Sequence, residues 1–363
     1  MNATTKTVVG VDIAKQVFQL HWVDIGTGEV ICKQLKRARF LEHFVNMAPC
    51  LIGMEACGGS QHWARRLQAM GHEVKLMAGK TVKAFVSGNK NDVADARAIW
   101  LAVAQPGIRA VAVKTEAQQA VLALHRMRQQ LVKFRTMQSN GLRGLLAEYG
   151  EVMPVGRAGL NRGIKDALMR LEERLPVVLI DTLREQWNML AQLDSQIVRI
   201  EQRLLAWMRQ DQASKRISAI PGVGLLTATA AVATMGDARA FRSGREFAAW
   251  LGLVPAQTGT GGRVRLMGIS KRGDTYLRTL LIHGARAVLM HAKEPGKWLQ
   301  DLGRRRPPNV VTVALANKMA RAIWALLAHD REYEKEHVSV RPIYRSQRGC
   351  GQKIKSGNTR MYY

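Results

Sequence analysis

The chain has 363 residues, room for two or three domains, and 47% of them are hydrophobic, enough for substantial cores. Lys and Arg number 55 against 28 Asp and Glu, a formal net charge of +27. That excess argues against a partner of like charge and points to a polyanion, and its spread through a well-patterned chain favours a folded nucleic-acid-binding protein over a histone-like tail.

The N-terminus lacks a basic stretch followed by an apolar one, so no signal peptide is read. Residues 7–34 read as three strands, Thr7 to Asp12, Val17 to Val23 and Glu29 to Gln34, with Gly26-Thr27-Gly28 as a hairpin turn. A helix from Arg39 to Met47 follows. Next come a strand over 51–54, a helix from Ser60 to Met70, a strand from Glu73 to Met77 and a helix starting near Asp92. The order β-β-β-α-β-α-β-α is that of a ribonuclease-H-like domain. In that topology the first strand is central, the fourth lies beside it, and the last helix packs across both.

Four acids stand at the ends of these elements. Asp12 ends Val8-Val9-Gly10-Val11, and Glu55 ends Leu51-Ile52-Gly53-Met54. Asp92 and Asp95 sit three apart on one face of the next helix. Taken singly, Asp12 and Glu55 read as ordinary strand-end acids and Asp92 as a helix N-cap. Together they form a set of hard oxygen ligands suited to Mg²⁺ or Mn²⁺, of the kind that clamps phosphate groups during phosphoryl transfer.

Thr115 to Gly150 reads as one or two long helices, and Pro154 and Gly156 mark a break. In the next segment Leu183, Leu190, Ile197 and Leu204 recur every seven residues. Leu193, Ile200 and Trp207 fill the second heptad position, with Gln186 as an exception. Thr182 and Glu185 make a capping box at its start. The pattern fits a dimerising coiled coil and an antiparallel helix hairpin equally.

From Ser218 the texture changes. Ile220-Pro221-Gly222-Val223-Gly224 before Leu225-Leu226-Thr227-Ala228 reads as a helix-hairpin-helix, whose turn N–H groups, around Gly222 and Gly224, suit a DNA phosphate. The stretch Leu225 to Met235 is too short to span a bilayer, and no membrane-spanning helix is expected. A Gly/Thr-rich loop, 258–262, leads into a basic segment with Arg263, Arg265, Lys271, Arg272 and Arg278, candidates for backbone contacts to nucleic acid. Helices from Thr275 to Met290 and Val310 to His329 follow, then a basic tail. The expected division is a catalytic α/β domain over 1–150, a coiled-coil or helical linker over 151–212, a mainly helical domain over 213–335 and the tail over 336–363. Cys32, Cys50, Cys57 and Cys350 form no Cys-x-x-Cys pair and the histidines show no zinc-finger spacing, which fits a reduced cytoplasmic setting.

These residues resemble a known family. Gly10-Val11-Asp12-Ile13-Ala14-Lys15, Met54-Glu55-Ala56 and Asn91-Asp92-x-x-Asp95-Ala96 are similar to the three acidic motifs of the DEDD-type transposases of insertion-sequence family 110, with its 1111 subgroup. Ile220-Pro221-Gly222-Val223-Gly224, Trp250-Leu251-Gly252-Leu253-Val254-Pro255, Gly268 to Asp274 and Tyr276-Leu277-Arg278 are similar to its C-terminal domain. The resemblance covers roughly 5–330. It implies a bacterial, nucleoid-associated site-specific DNA recombinase with a ruvC-like N-terminal domain. It further implies double-stranded donor and target DNA, a structured guide RNA, and homodimers assembling to tetramers. A serine of the C-terminal domain would make a covalent 5′-phosphoserine link, beside Mg²⁺ held by the acidic tetrad of another subunit.

One departure matters. The family's serine precedes a Gly-Gly or Gly-basic pair, but Pro255 to Gly262 contains none. Thr260 stands immediately before the glycines and Gly259 before that, so the nucleophile maps to Thr260 or is lost at 259. Ser270 lies too late in the motif. Three other readings stand beside this one: a Holliday-junction-type metal nuclease without a covalent intermediate, a nucleophile-deficient nucleic-acid-binding form, and an actin-like sugar kinase. The last needs a second phosphate loop and an adenosine-binding motif, which the sequence lacks.

Overall fold

The computed structural model describes residues 6–87 and 91–335, so the basic tail lies outside the described residues. Alternating apolar positions make β1 (Val8–Ile13) and β2 (Val17–Val23) central strands, while β3 (Val30–Lys36) is largely exposed. Asp24 closes the β2–β3 turn, its Oδ1 accepting from Gly26 N and Thr27 N at 2.9 Å each. A 3₁₀ turn over 37–39 leads into α1 (Phe40–Val45), β4 (Leu51–Glu55), α2 (Ser60–Ala69) and β5 (Glu73–Met77). Then come α3 (Gly79–Lys83), α4 (Asp92–Ala104) and β6 (Ala110–Val111). Neither α3 nor β6 carries a periodicity long enough to read from sequence.

The sheet order is β3-β2-β1-β4-β5-β6. β1 runs antiparallel to β2 and parallel to β4, β4 is parallel to β5, and β6 closes the edge antiparallel. Val9 and Val11 face a core of Phe18, Phe40, Phe44, Trp63 and Leu67 under α1 and α2. The Phe18 and Phe40 rings meet edge to face at 4.5 Å. On the other face, Ile99, Ala102 and Val103 of α4 pack with Met77 and Val82.

α5 (Glu116–Glu148) is a single 33-residue helix, opened by a capping box between Thr115 and Gln118. With α6 (Gly156–Glu172) and α7 (Val177–Gln210) it forms a helical stack, joined by Asp194, which takes Arg135 at 2.9 Å and Arg157 at 3.1 Å. α5 packs along α7 and against the later helix Leu225–Met235. The heptad leucines of α7 are covered from within. Leu183 and Leu190 share a core with Leu142, Leu146, Leu160, Ile164 and Leu168, and Ile200 and Leu204 pack with Val121 and Ala233. Of the two readings of the repeat, the structure takes the intrachain one. Gln186, the polar exception, receives a bond from Gln138 Nε2 to its Oε1 at 2.6 Å. α7 also starts earlier than expected, after Pro176. Thr182 does not cap it but donates to Val178 O at 2.7 Å from inside the helix.

The C-terminal part contains α8 (Gln212–Ser218), α9 (Leu225–Met235), α10 (Gly244–Trp250), the hairpin β7 (Pro255–Thr260) and β8 (Arg263–Ile269), α11 (Thr275–His291), α12 (Lys297–Gly303) and α13 (Pro308–His329). α9 is buried nearly all round. α13 is long and apolar enough to cross a membrane by length and composition. Its stripe of Val311, Ala316, Met319, Ala320, Ile323 and Leu326 is buried, and from Ala316 onward it lies in one core with Phe247, Leu277 and Leu281, the packing of a core helix.

Candidate active site

The acids are positioned by two glycines. Gly10 of β1 and Gly53 of β4 are paired in register, and both lie under α4. A Cβ on Gly10 would stand 2.3 Å from Ala96 O and 2.6 Å from Trp100 N; one on Gly53 would stand 2.8 Å from Val103 Cβ. Only residues without a Cβ let the helix backbone lie this close to the sheet. Two residues further along each strand the pleat returns to the same face, so Asp12 and Glu55 project towards the start of α4. That start is fixed by Asn91, whose Oδ1 accepts from Ala94 N at 2.7 Å, leaving Asp92 and Asp95 in the first turn.

The four carboxylates share one field. Asp12 is pushed up to about 6, by burial first and then by the neighbouring Asp95, Asp92 and Glu55. The Cys57 thiol is also raised, by burial first and then by Glu55 and Asp12. Glu55 leans over Gly79, where a Cβ would lie 2.6 Å from its Oε1. Gly79 is a residue the sequence reading missed; its one signal is a glycine two residues past the end of a buried strand. Among the described residues no three His, Cys, Asp or Glu side chains stand in ion-ligating geometry. Asp92 is exposed at the start of α4.

The second group of expected residues lies in the C-terminal part. The segment read as a loop is a β-hairpin with the two-residue turn Gly261-Gly262, at φ 56° and 79°. Thr260 pairs with Arg263 and Thr258 with Arg265, so both hydroxyls and both guanidiniums occupy one face. Gly259 pairs with Val264 on the other face, which also carries Leu266. A Cβ on Gly259 would lie 2.0 Å from Arg263 O, so this position cannot take a serine without opening the hairpin. Lys271 and Arg272 are exposed at the base of the hairpin, and Lys271 adopts a left-handed φ of 52°.

Two expectations are corrected. Arg278 is buried, and its guanidinium is used inside the protein. It donates to Leu251 O at 2.9 Å, to Arg272 O at 2.7 Å and to Thr275 Oγ1 at 3.1 Å, so it is not offered to a phosphate. Gly222 also faces inward: a Cβ there would meet Gly284 O of α11 at 2.7 Å. Its glycine is required by packing. Gly224 faces open space and caps α9 without a side-chain partner. No hydrogen bond or ion pair joins the acids to the hairpin among the described residues.

Residues 9–151 match a family model described as a transposase, of the DEDD type of insertion sequence IS110, and residues 214–299 match the transposase IS116/IS110/IS902 family. A probable family 20 transposase of Pseudomonas aeruginosa is 48% identical over 330 residues, covering 90% of this chain and 98% of the relative. The transposase of insertion sequence element IS1111A of Coxiella burnetii is 40% identical, covering 90% and 91%. That of IS1328 of Yersinia enterocolitica is 36% identical, covering 91% and 99%. The chain therefore belongs to the IS110/IS116/IS902 family of insertion-sequence transposases, enzymes that cut and recombine DNA.

Proposed function

We propose that the chain is a site-specific recombinase in which Asp12, Glu55, Asp92 and Asp95 hold a divalent cation, Mg²⁺ or Mn²⁺, and Thr260 supplies the attacking hydroxyl. The observation that carries this reading is the placement of Asp12 and Glu55 at the ends of two adjacent parallel strands, beside the first turn of α4 with its Asp92 and Asp95. Such a charge cluster is stabilised by a hard cation. The sheet order and the helix laid across β1 and β4 support a ribonuclease-H-like, ruvC-like catalytic domain.

When bound, the ion would neutralise charge on the phosphate oxygens. The protein's own groups do the rest. The Thr260 hydroxyl forms an O–P bond to the 5′-phosphate of the cut strand. The bond from phosphorus to the 3′-oxygen breaks, that oxygen takes up a proton, and the threonine proton passes to solvent. Arg263, beside Thr260, stabilises the charge gathering on the phosphate. Arg265, Lys271, Arg272 and the turn at Gly224 hold the DNA backbone. Donor and target duplexes, a structured guide RNA and a tetramer of paired dimers complete the reading, supported by the family resemblance and the +27 charge. Because the α7 heptad seam is filled within the chain, dimerisation falls to exposed apolar residues of the stack such as Phe134, Met137 and Val198.

End-labelled substrate DNA, incubated with Mg²⁺ and run on a denaturing gel, tests the chemistry. The expected result is a protein–DNA adduct, kept by Thr260→Ser and absent from Thr260→Ala. Free cut ends with no adduct would establish the metal-nuclease reading instead.

A further inference from the structure

A cavity of about 360 Å³ lies between the sheet unit, α5 and the C-terminal helices. Ala78 and Thr81, which flank the glycine under Glu55, form one wall, so the cavity adjoins the acidic site. Its opposite wall contains Trp250, Phe241 and Tyr276. Tyr276 is fixed there by His125, whose Nδ1 lies 2.9 Å from the phenol oxygen. The other ring nitrogen meets Thr229 Oγ1 at 2.9 Å, and that hydroxyl donates to Leu225 O. The Tyr276 phenol and both nitrogens of His125 are therefore already engaged within the wall.

The cations are not all paired. Arg109 is held by Glu246 at 3.2 Å and lies over the Phe241 ring at 3.8 Å. Lys114 and Arg126 line the same cavity, and no carboxylate pairs with the Lys114 ammonium among the described residues. Burial drives its pKa down, and the attraction of Asp274, which exceeds the repulsion from Arg126, offsets this only in part. Asp274 is itself engaged, accepting from Leu277 N at 2.8 Å as the cap of α11. A half-buried ammonium without an ion-pair partner is costly to leave in place, and an anion entering between it and Arg126 would stabilise both cations.

We propose that this cavity binds the phosphate of a nucleotide unit, with Lys114 and Arg126 as its ligands and the aromatic wall against the sugar and base. A phosphodiester of a bound strand is the expected source, because the cavity borders the acidic site; a free nucleoside phosphate offers the same chemistry. The inference rests on the DNA-binding part of the proposed function and not on its covalent step.

The test measures binding alone. A fluorescein-labelled single-stranded 12-mer is titrated into the full-length chain at several salt concentrations without divalent ions. Lys114→Gln and Arg126→Gln should each weaken binding about tenfold and lower the salt slope by about 0.7. Lys114→Arg should retain binding, and Lys114→Gln should keep wild-type helicity by circular dichroism. If Lys114→Gln misfolds, the exposed Arg126→Gln and the conservative Lys114→Arg decide. Competition by adenosine monophosphate at concentrations where inorganic phosphate does not compete would identify the free nucleotide as a source. Unchanged affinity and slope in both charge-removing variants overturn the proposal. Loss of the Thr260 adduct in a protein that still shows the Lys114 dependence would count against the covalent chemistry alone.

Discussion

Gly10 and Gly53 are register partners on parallel strands, and each lacks the Cβ that α4 would strike. Their pairing lets one helix cross two strands at backbone distance, with Asp12 and Glu55 two residues further on beneath its first turn. Gly10→Ala should therefore act at a distance. The added methyl must push Ala96 O and the Trp100 backbone away, at a cost of about 1–3 kcal/mol. Asp92 and Asp95 move with the helix. Chemical denaturation should show the stability loss, and cleavage should fall more than DNA binding does. A variant with wild-type cleavage would show that the close approach does not set the site.

Asp12 gives a pH dependence of defined sign. Its folded-state pKa, raised from 3.8 to about 6, means that the folded chain holds this proton more tightly than the unfolded chain does. Stability from this group is present below about 3.8 and is lost as pH rises through about 6. The shift of roughly two units, discounted because the group is only half-buried, leaves about 1 kcal/mol. Asp12→Asn should accordingly raise the melting temperature of the ion-free protein at pH 8 and leave it unchanged at pH 4. Equal effects at both pH values would mean that the Asp12 carboxyl is not raised in the folded chain.

The seam of α7 predicts behaviour that separates an intrachain core from a dimer interface. Leu190 is fully buried among residues of its own chain. Leu190→Ala should cost about 2–5 kcal/mol of stability while leaving the dimer dissociation constant, read by analytical ultracentrifugation, unchanged. A weakened dimer in a variant that still folds would place Leu190 between chains.

In the hairpin, Thr260 and Gly259 should respond oppositely to serine. Thr260→Ser keeps a hydroxyl beside Arg263 and removes a methyl, so recombination should hold or rise. Gly259→Ser puts a side chain where Arg263 O already stands and should open the hairpin, lowering activity and thermal stability together. Recombination restored by serine at 259 alone would show that this chain has lost its native nucleophile there.

Much of this was legible in the sequence because it rests on local pattern. The strands ending in Asp12 and Glu55 are short apolar runs, and the helix start near Asp92 is legible too, although its cap is Asn91 and not the Asp92 read as one. The stretch 258–262 reads as a loop because its glycines suppress strand propensity, but it holds the end of β7 and the turn of a hairpin, and Gly261-Gly262 is a hairpin signal only once the flanking pairing is known. Arg278 and Gly222 were misassigned for a shared reason. A charge or a glycine in a basic chain looks like a phosphate contact, and only the fold shows that the guanidinium meets three internal oxygens and that the glycine meets Gly284. Lys114 carried no signal, since its burial depends on three elements distant in sequence.

The central claim is that the four acids form a cation-dependent cleavage centre. The most direct measurement is calorimetric titration of Mn²⁺ into the wild-type chain and into Asp12→Asn and Asp95→Asn, followed by DNA cleavage with the same preparations. The account predicts saturable Mn²⁺ binding by the wild type, its loss in both variants, and loss of cleavage with DNA binding preserved. Wild-type cleavage by either variant would contradict it.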